Sequence, residues 1–349
     1  MLQNILKSYG LQKNLAKAKP FGTGLINNTW VVNSGLKKFI LQRINQNIFK
    51  NPTDIAGNIK SIGDFLSKHH PDYLFVMPQQ TNLQQEMVYL PGEGYFRLFP
   101  FVKKSHTIDV VNTPLQAYEA ARQFGRFTKL LSGFPVEKLH ITLPEFHNLS
   151  LRYLQFKDAV EKGNPERIAL ATDTITYLKE QQSIVVTYES ICAGSSFKKR
   201  VTHHDTKISN VLFNEQGKGL CVIDLDTVMP GYFISDVGDM MRTYLSPVSE
   251  EEKDLSKIEI RNDYFKTIAG GYLSEMNNEL TTAEKNHFVY AGQFMIYMQA
   301  LRFLTDYLND DVYYGSIYEG HNFIRAKNQV VLLQKLNEKE EELSAVIVG

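Results

Sequence analysis

The 349-residue sequence predicts an α+β protein in two lobes: a small β-rich N-terminal lobe over residues 1–100 and a larger, mainly helical C-terminal lobe over residues 101–349. Three observations carry that expectation. Short apolar and aromatic runs broken by Ser-Gly and Pro-Gly turns crowd residues 29–45 and 89–104. From Thr113 onward, apolar residues recur mostly at spacings of three and four. A single pair of short strands, "NVLF" and "LCVIDL", interrupts that helical half. At ~100–200 residues per domain, the length suits two domains or one domain in two lobes, and ligands commonly bind in the cleft between lobes.

Taken in order, "PFGTGLINN" (20–28) is a Gly-containing turn that leads into a strand. "TWVVNSGLKKFILQRIN" (29–45) reads as a β-hairpin turning at Ser34-Gly35. A helix begins near Asn51-Pro52, with Asn as cap and Pro in the first turn, and carries an apolar face of Ile55, Ile59, Ile62, Phe65 and Leu66. "YLPGEGYFRLFPFVKK" (89–104) gives aromatic strands around a Pro-Gly turn. Thr113 caps a helix whose face runs through Tyr118, Ala121, Phe124 and Leu131 to a stop at Gly133. Residues 151–162 and 165–182 read as helical, and longer helices are expected over 252–276, 282–309 and 322–343.

Composition narrows the function classes. Lys+Arg and Asp+Glu both number 38, so no net field draws the chain to nucleic acid or anionic lipid. Two cysteines, Cys192 and Cys221, make neither a disulfide framework nor a zinc centre by themselves. No apolar run reaches the ~18 residues of a membrane span, and "MLQNILKSYGLQKNL" has no signal-peptide core. The expectation is a soluble, cytoplasmic protein without nucleic-acid, membrane or protein partners.

The chemistry concentrates in "VTHHDTKISNVLFNEQGKGLCVIDLDTVMPG" (201–231). A hydrolytic metal site would need several side chains aimed at one ion. His203, His204 and Asp205 are consecutive, however, so an extended segment points His204 away from the other two. Phosphoryl transfer explains more of the spacing. It needs a carboxylate at the acceptor hydroxyl, charge neutralisation and hard oxygen ligands for magnesium. Asp205 and Asn210 form D-x-x-x-x-N with Lys207 between them, and Asp224 closes the apolar run "CVID". A lone Asp before a strand is ordinarily a cap or turn residue; the ordered set is what points to chemistry.

At these residues the sequence resembles the aminoglycoside phosphotransferase-like kinases, relatives of choline and protein kinases. "HHDTKISNVL" is similar to their catalytic loop, and "VIDLDTVMPG" with "SDVGDMMR" to their magnesium segment and the structural Asp behind it. The match is closest to bacterial N-acetylhexosamine 1-kinases, through "PFGTGLINNTW", "FILQRIN", "PEFHNLSLR", "DTKISNVL", "IDLDTVMPG", "DVGDMMR" and "LRFLTDYLNDDVYY", spread over residues 20 to about 325. The resemblance implies a protein-kinase-like two-lobed fold that uses ATP and Mg2+. It makes Asp205 the catalytic carboxylate with Lys207 beside it, and Asn210 and Asp224 the magnesium ligands. Asp226 becomes a second carboxylate near metal or sugar, and Gly22 and Gly24 the loop over the nucleotide.

The sequence also departs from that pattern. Kinases place a cation on the third strand to grip the phosphates; here the candidates are Gln42 and Arg43, which face opposite ways. Leu25 stands where the subfamily carries a His. Arg302 admits two accounts: an ion pair with Asp306 one turn on, or contact, together with Tyr313, to acceptor hydroxyls. The resemblance favours the second. His147, in "FHN", has no assigned role beyond a buried hydrogen bond.

The activity so implied is ATP-dependent phosphorylation of the anomeric hydroxyl of N-acetylglucosamine or N-acetylgalactosamine. The alternatives are a kinase for another small alcohol (choline, homoserine, an aminoglycoside or a different hexose) and a silent kinase fold acting as a regulator.

Overall fold

The computed structural model of the protein describes residues 2–11, 16–22 and 26–348. The strands are β1 (Ala16–Pro20), β2 (Asn28–Ser34), β3 (Lys37–Arg43), β4 (Val88–Leu90), β5 (Gly94–Pro100), β6 (Ser105–His106), β7 (Arg200–Thr202), β8 (Val211–Asn214), β9 (Gly219–Val222) and β10 (Met229–Gly231). The helices before the 200–231 segment are α1 (Leu2–Ser8), α2 (Pro52–His69), α3 (Pro114–Leu130), α4 (Leu149–Lys162), α5 (Pro165–Leu170), α6 (Thr172–Glu180) and α7 (Ser183–Ala193). Those after it are α8 (Phe233–Tyr244), α9 (Asn262–Met276), α10 (Thr282–Asn286), α11 (Phe288–Leu308), α12 (His321–Glu338) and α13 (Glu340–Val348).

The N-terminal lobe is an antiparallel five-stranded sheet in the order β1-β2-β3-β5-β4. Strand alternation gives it two unlike faces. Val32, Phe39, Leu41, Phe96 and Leu98 point to one side and form a separate core with Ile5, Leu6 and Tyr9. The residues between them, including Gln42 and Arg97, therefore lie on the other side. The β2–β3 hairpin turns on Gly35 and Leu36, with Ser34 opposite Lys37; Gly35 has φ 58°, the left-handed region a two-residue hairpin turn requires.

Helix α2 lies between β3 and β4 in sequence, yet its buried face, Ile55, Ile59, Ile62 and Leu66, belongs to the larger core with Phe124 and Phe127 of α3. That core is helix on helix: α3 lies along α9, while α11 packs on α8, α12 and α4. Helix α11 is buried nearly all round and forms the axis of the C-terminal lobe. The small sheets β6-β8-β9 and β7-β10 sit on this body. Among the described residues, no helix is long and apolar enough to cross a membrane.

Several expected elements come out differently. Residues 252–261 are not helical beyond a short turn at Leu255–Lys257, because Ile258 and Ile260 are buried at a period of two, as in extended chain. The expected 165–182 and 322–343 helices break at Ala171 and Lys339. The expected 282–309 helix breaks at His287. Helix α7, which starts Ser-Ile-Val-Val, has no sequence signal because its β-branched run disfavours helix and only packing overrides it.

Gly238 of α8 marks the closest approach of two helices. A Cβ there would stand 2.2 Å from Ala291 O and 2.9 Å from Met295 Cβ, both on α11. Gly238→Ala should therefore force α8 away from α11 and cost about 1–3 kcal/mol, the usual range for overpacking. Urea denaturation measures it; a variant as stable as the parent would contradict the contact.

Candidate functional site

Strands β7 and β10 pair antiparallel, with Thr202 opposite Met229, and bracket everything between them. The chain leaving β7 runs through His203, His204 and Asp205 before reaching β8. This loop has no repetitive backbone bonding of its own, so its amides need other acceptors. Helix α8 supplies them. The Asp236 carboxylate accepts from His203 N at 3.0 Å and from His204 N at 2.8 Å. Asp239 accepts from Thr206 N at 2.8 Å, and Arg242 forks onto its other oxygen at 2.8 and 3.1 Å. Thr206 Oγ1 donates to Asp236 O, and Tyr244 Oη donates to Thr206 O. From the far side, Thr227 Oγ1 donates to His203 O at 2.6 Å, and the His203 ring donates through Nε2 to Ile223 O at 2.9 Å.

So fastened, the backbone tolerates strain. His204 holds φ 65° and Asp224 φ 61°, a left-handed conformation uncommon for side chains of this size. The His204 ring lies against Gly231, where an added Cβ would come 2.5 Å from Nε2. Burial lowers its pKa to about 4, so it stays neutral at physiological pH. Burial pushes the Asp236 carboxyl the other way, to about 6, against the two amides it accepts.

Asp205 emerges from this scaffold a quarter exposed, with Lys207 Nζ 3.0 Å from Oδ2. Partial burial works to raise its pKa, but the Lys207 ammonium and its hydrogen bonds outweigh that and keep the carboxyl below its ordinary value. Asn210 ends a single 3-10 turn, Ile208–Asn210. Its Nδ2 donates to Asp205 O at 2.9 Å, and among the described residues Oδ1 accepts nothing. Asn210 O accepts from Ile223 N at 2.8 Å, which sets the neighbouring Asp224 beside Asn210 at one end of the β8–β9 hairpin. Asp224 thus stands two residues past the end of β9, not at the strand terminus the sequence suggests. Burial first, then Asp226 and Asp205, push its carboxyl up to about 7, with Lys207 and Arg97 opposing.

Asp226 is differently placed. Its carboxylate is buried and held from the sheet above: Arg97 Nη1 lies 2.5 Å from Oδ1, and Asn27 Nδ2 donates to Oδ2 at 2.7 Å. Of the two third-strand candidates, Gln42 faces this cluster and Arg43 does not. Gln42 Oε1 accepts from Arg97 Nε and Nη2, whereas Arg43 turns to the opposite face and pairs with Glu93 at 3.5 Å. Gly22, at φ 81°, lies in the loop between β1 and β2; Gly24 and Leu25 lie outside the described residues.

Arg302 makes no ion pair with Asp306. That carboxylate instead accepts from Tyr313 N, Tyr314 N and Asn322 Nδ2, closing the loop after α11. Arg302 donates to Gln299 Oε1 at 3.2 Å and lies 5.4–5.9 Å from the rings of Tyr314, Tyr313 and Phe146. Phe146 stacks on His147, and His147 lies 5.2 Å from the His204 ring, so two ring contacts join Arg302's neighbour Phe146 to the 203–210 loop. Burial, then His204 and Arg302, hold His147 well below its ordinary value. Arg97, Asn27 and the Phe146–His147 pair carried no sequence signal of their own; "FHN" was visible as a block, without a physical reason.

A sequence profile described as the phosphotransferase enzyme family matches residues 17–256, and the chain belongs to that family. The fold recurs in solved structures at low identity. A microcompartment-associated aminopropanol kinase is 16% identical with a TM-score of 0.63, over 98% of each chain. An aminoglycoside phosphotransferase from Alicyclobacillus acidocaldarius is 12% identical with a TM-score of 0.65, over 97% of this chain and 96% of that one. A choline kinase from Cryptosporidium parvum Iowa II is 14% identical with a TM-score of 0.57, over 98% and 96%. These likenesses establish the aminoglycoside phosphotransferase-like, α+β kinase fold.

Asp236→Ala should strand the amides of His203 and His204 and cost about 2–6 kcal/mol, at roughly 1–3 kcal/mol per buried unsatisfied group. Hydrogen exchange would show both amides opening well before global unfolding; unchanged protection would contradict this role.

Proposed function

We propose that the protein is an ATP-dependent kinase that phosphorylates the anomeric hydroxyl of an N-acetylhexosamine. The observation that best supports phosphoryl transfer is the placement of Asp205, Lys207, Asn210 and Asp224 on two segments joined at one end of the β8–β9 hairpin. Asp205, kept ionised by Lys207, aligns the acceptor hydroxyl and takes its proton. If the transition state is loose, the proton leaves late, and alignment outweighs basicity. Lys207 neutralises charge on the phosphoryl group in transit.

Asn210 Oδ1 and the Asp224 carboxylate fit Mg2+, which takes hard oxygen ligands and is commonly bound by one or two protein groups plus substrate phosphates. Among the described residues no three His, Cys, Asp or Glu side chains converge, which fits a site completed by the nucleotide and not a protein-only cage. When bound, the ion neutralises charge on the nucleotide phosphates.

The acceptor class rests on the sequence resemblance and on the lining around Arg302. Among the described residues neither Arg302 nor Arg152 is ion-paired with a carboxylate, and Arg302 lies close enough to depress Arg152, whose pKa is lowered first by burial and then by that charge. Two guanidiniums and three aromatic rings suit the hydroxyls and acetamido carbonyl of a neutral sugar. The two guanidiniums repel the cationic group of choline, aminopropanol or an aminoglycoside. ATP consumption across a panel of N-acetylglucosamine, N-acetylgalactosamine, other hexoses, choline and aminopropanol tests this. Turnover with a hexosamine and formation of its 1-phosphate by phosphorus NMR are expected; preference for a cationic acceptor would overturn the assignment.

Asp205→Asn should lower kcat by ~10²–10⁴-fold, the usual contribution of a positioned base, while leaving nucleotide binding intact. Stopped assays with ATP titration check it, and near-parental turnover would contradict the role. Because the Asp224 carboxyl titrates near 7, a divalent ion must displace its proton below that pH. The apparent Mg2+ dissociation constant should therefore rise about tenfold per pH unit below 7 and level off above it. Mg2+ titrations between pH 5.5 and 8.5 measure this, and a flat profile would contradict it.

A further inference from the structure

At the end of the third strand Gln42 faces the cluster around Asp226 and Arg43 the opposite side. A guanidinium nevertheless stands there, delivered from the neighbouring strand. Arg97 on β5 is the direct cross-strand partner of Gln42 on β3. It is 2% exposed, the only arginine among the largest fully buried side chains. Burying that charge is tolerated only if it is paired, and each of its contacts converges on one place. Gln42 Oε1 receives Nε at 3.1 Å and Nη2 at 2.8 Å, which orients the guanidinium plane. The Phe99 ring lies 5.0 Å from its centre. Nη1 reaches across to Asp226 Oδ1 at 2.5 Å. That contact lacks hydrogen-bond angles, so it is chiefly coulombic.

Asp226 belongs to the segment that begins at Asp224, while Arg97 and Gln42 belong to the sheet. Asn27 adds a second tie from the sheet side. Its Nδ2 donates to Asp226 Oδ2 at 2.7 Å, and its Oδ1 accepts from Asn45 N at 3.0 Å, so the backbone after β3 fixes it. Asn27, from the approach to β2, and Arg97, from β5, thus meet on one carboxylate of the other lobe, and Gln42 of β3 orients Arg97. In protein kinases the third-strand lysine has two duties, gripping phosphates and pairing with a carboxylate. In this chain a carboxylate pairing is made by Arg97.

We propose that Arg97 is a positioning residue for the nucleotide. Acting through Asp226, it sets the spacing between the nucleotide-covering sheet and the Asp224 segment, in place of a cation at position 42. Gln42 contributes orientation without charge. The inference rests on the nucleotide-binding part of the proposed function and is independent of the acceptor's identity.

Calorimetric titration of the full chain with Mg2+ and a non-hydrolysable ATP analogue tests it. Arg97→Met should weaken binding about 30-fold or more, the scale of losing one partner of a buried charge pair. Adding Gln42→Lys to that variant, which returns a cation to the cleft face one strand over, should recover at least about tenfold of the loss. A purely structural ion pair predicts a lower melting temperature with an unchanged dissociation constant, and that result overturns the proposal, as does failure of Gln42→Lys to restore any binding. If the Met variant does not fold, Arg97→Lys carries the test, because it keeps the charge but cannot fork between Gln42 and Asp226. Weaker nucleotide binding by Arg97→Lys supports the proposal; parental affinity overturns it. Absence of nucleotide binding by the parent protein would sink the nucleotide reading itself, an outcome distinct from equal binding by parent and variant.

Discussion

The site depends on one buried carboxylate. Asp236, near the start of α8, accepts the backbone amides of His203 and His204 and so holds a loop that has no regular structure to hold itself. Burial disfavours the charge it needs for this, and its pKa rises toward 6. Two amide donors offset that cost. Without them the left-handed His204 backbone would have no reason to persist, and Asp205, the next residue, would lose its direction. Asp239 repeats the arrangement one turn later on Thr206, itself braced by Arg242.

Helix α8 is therefore both a core element and a template. Its apolar side packs on α11, with Gly238 allowing the approach, while Asp236 and Asp239 reach the loop. The geometry of the candidate site is thereby referred to α11, which is buried nearly all round. Rigid elements hold side chains in place more precisely than loops do. Arg302 has the same reference, since it projects from α11, the helix that supports α8.

Two charge systems divide the cleft. On one side Asp205, Asp224 and Lys207 crowd together, and the mutual repulsion of the carboxylates is relieved by a single lysine and by Arg97 at longer range. On the other, Arg302 and Arg152 stand among aromatic rings without carboxylate partners. The two are joined by His204, His147 and Phe146, a short aromatic bridge whose histidines stay neutral through burial.

Much of this was legible in the sequence where the signal is local. The hairpins, helix α2 with Pro52 in its first turn, helix α3 capped by Thr113 and the order of the carboxylates of residues 205–226 all follow from spacing and turn chemistry, although Asn51 precedes α2 without a side-chain capping bond. What escaped is set by tertiary contact. Arg97 looks like an ordinary strand residue until β5 is placed beside β3, and Asn27 like a loop polar residue until it meets Asp226, 199 positions away. Arg302 and Asp306 sit one helical turn apart and invite a pairing, but Asp306 is taken by the backbone of the following loop. Helix α7 forms against its own β-branched sequence because the core requires it. The central claim is that Asn210 and Asp224 present their oxygens to one nucleotide-bound divalent ion facing Asp205. Anomalous diffraction from crystals grown with Mn2+ and a non-hydrolysable ATP analogue tests it most directly. A peak about 2.1 Å from both Asn210 Oδ1 and an Asp224 oxygen, a distance typical of small hard cations, is the predicted result; an ion bound to the nucleotide with neither side chain as ligand would contradict it.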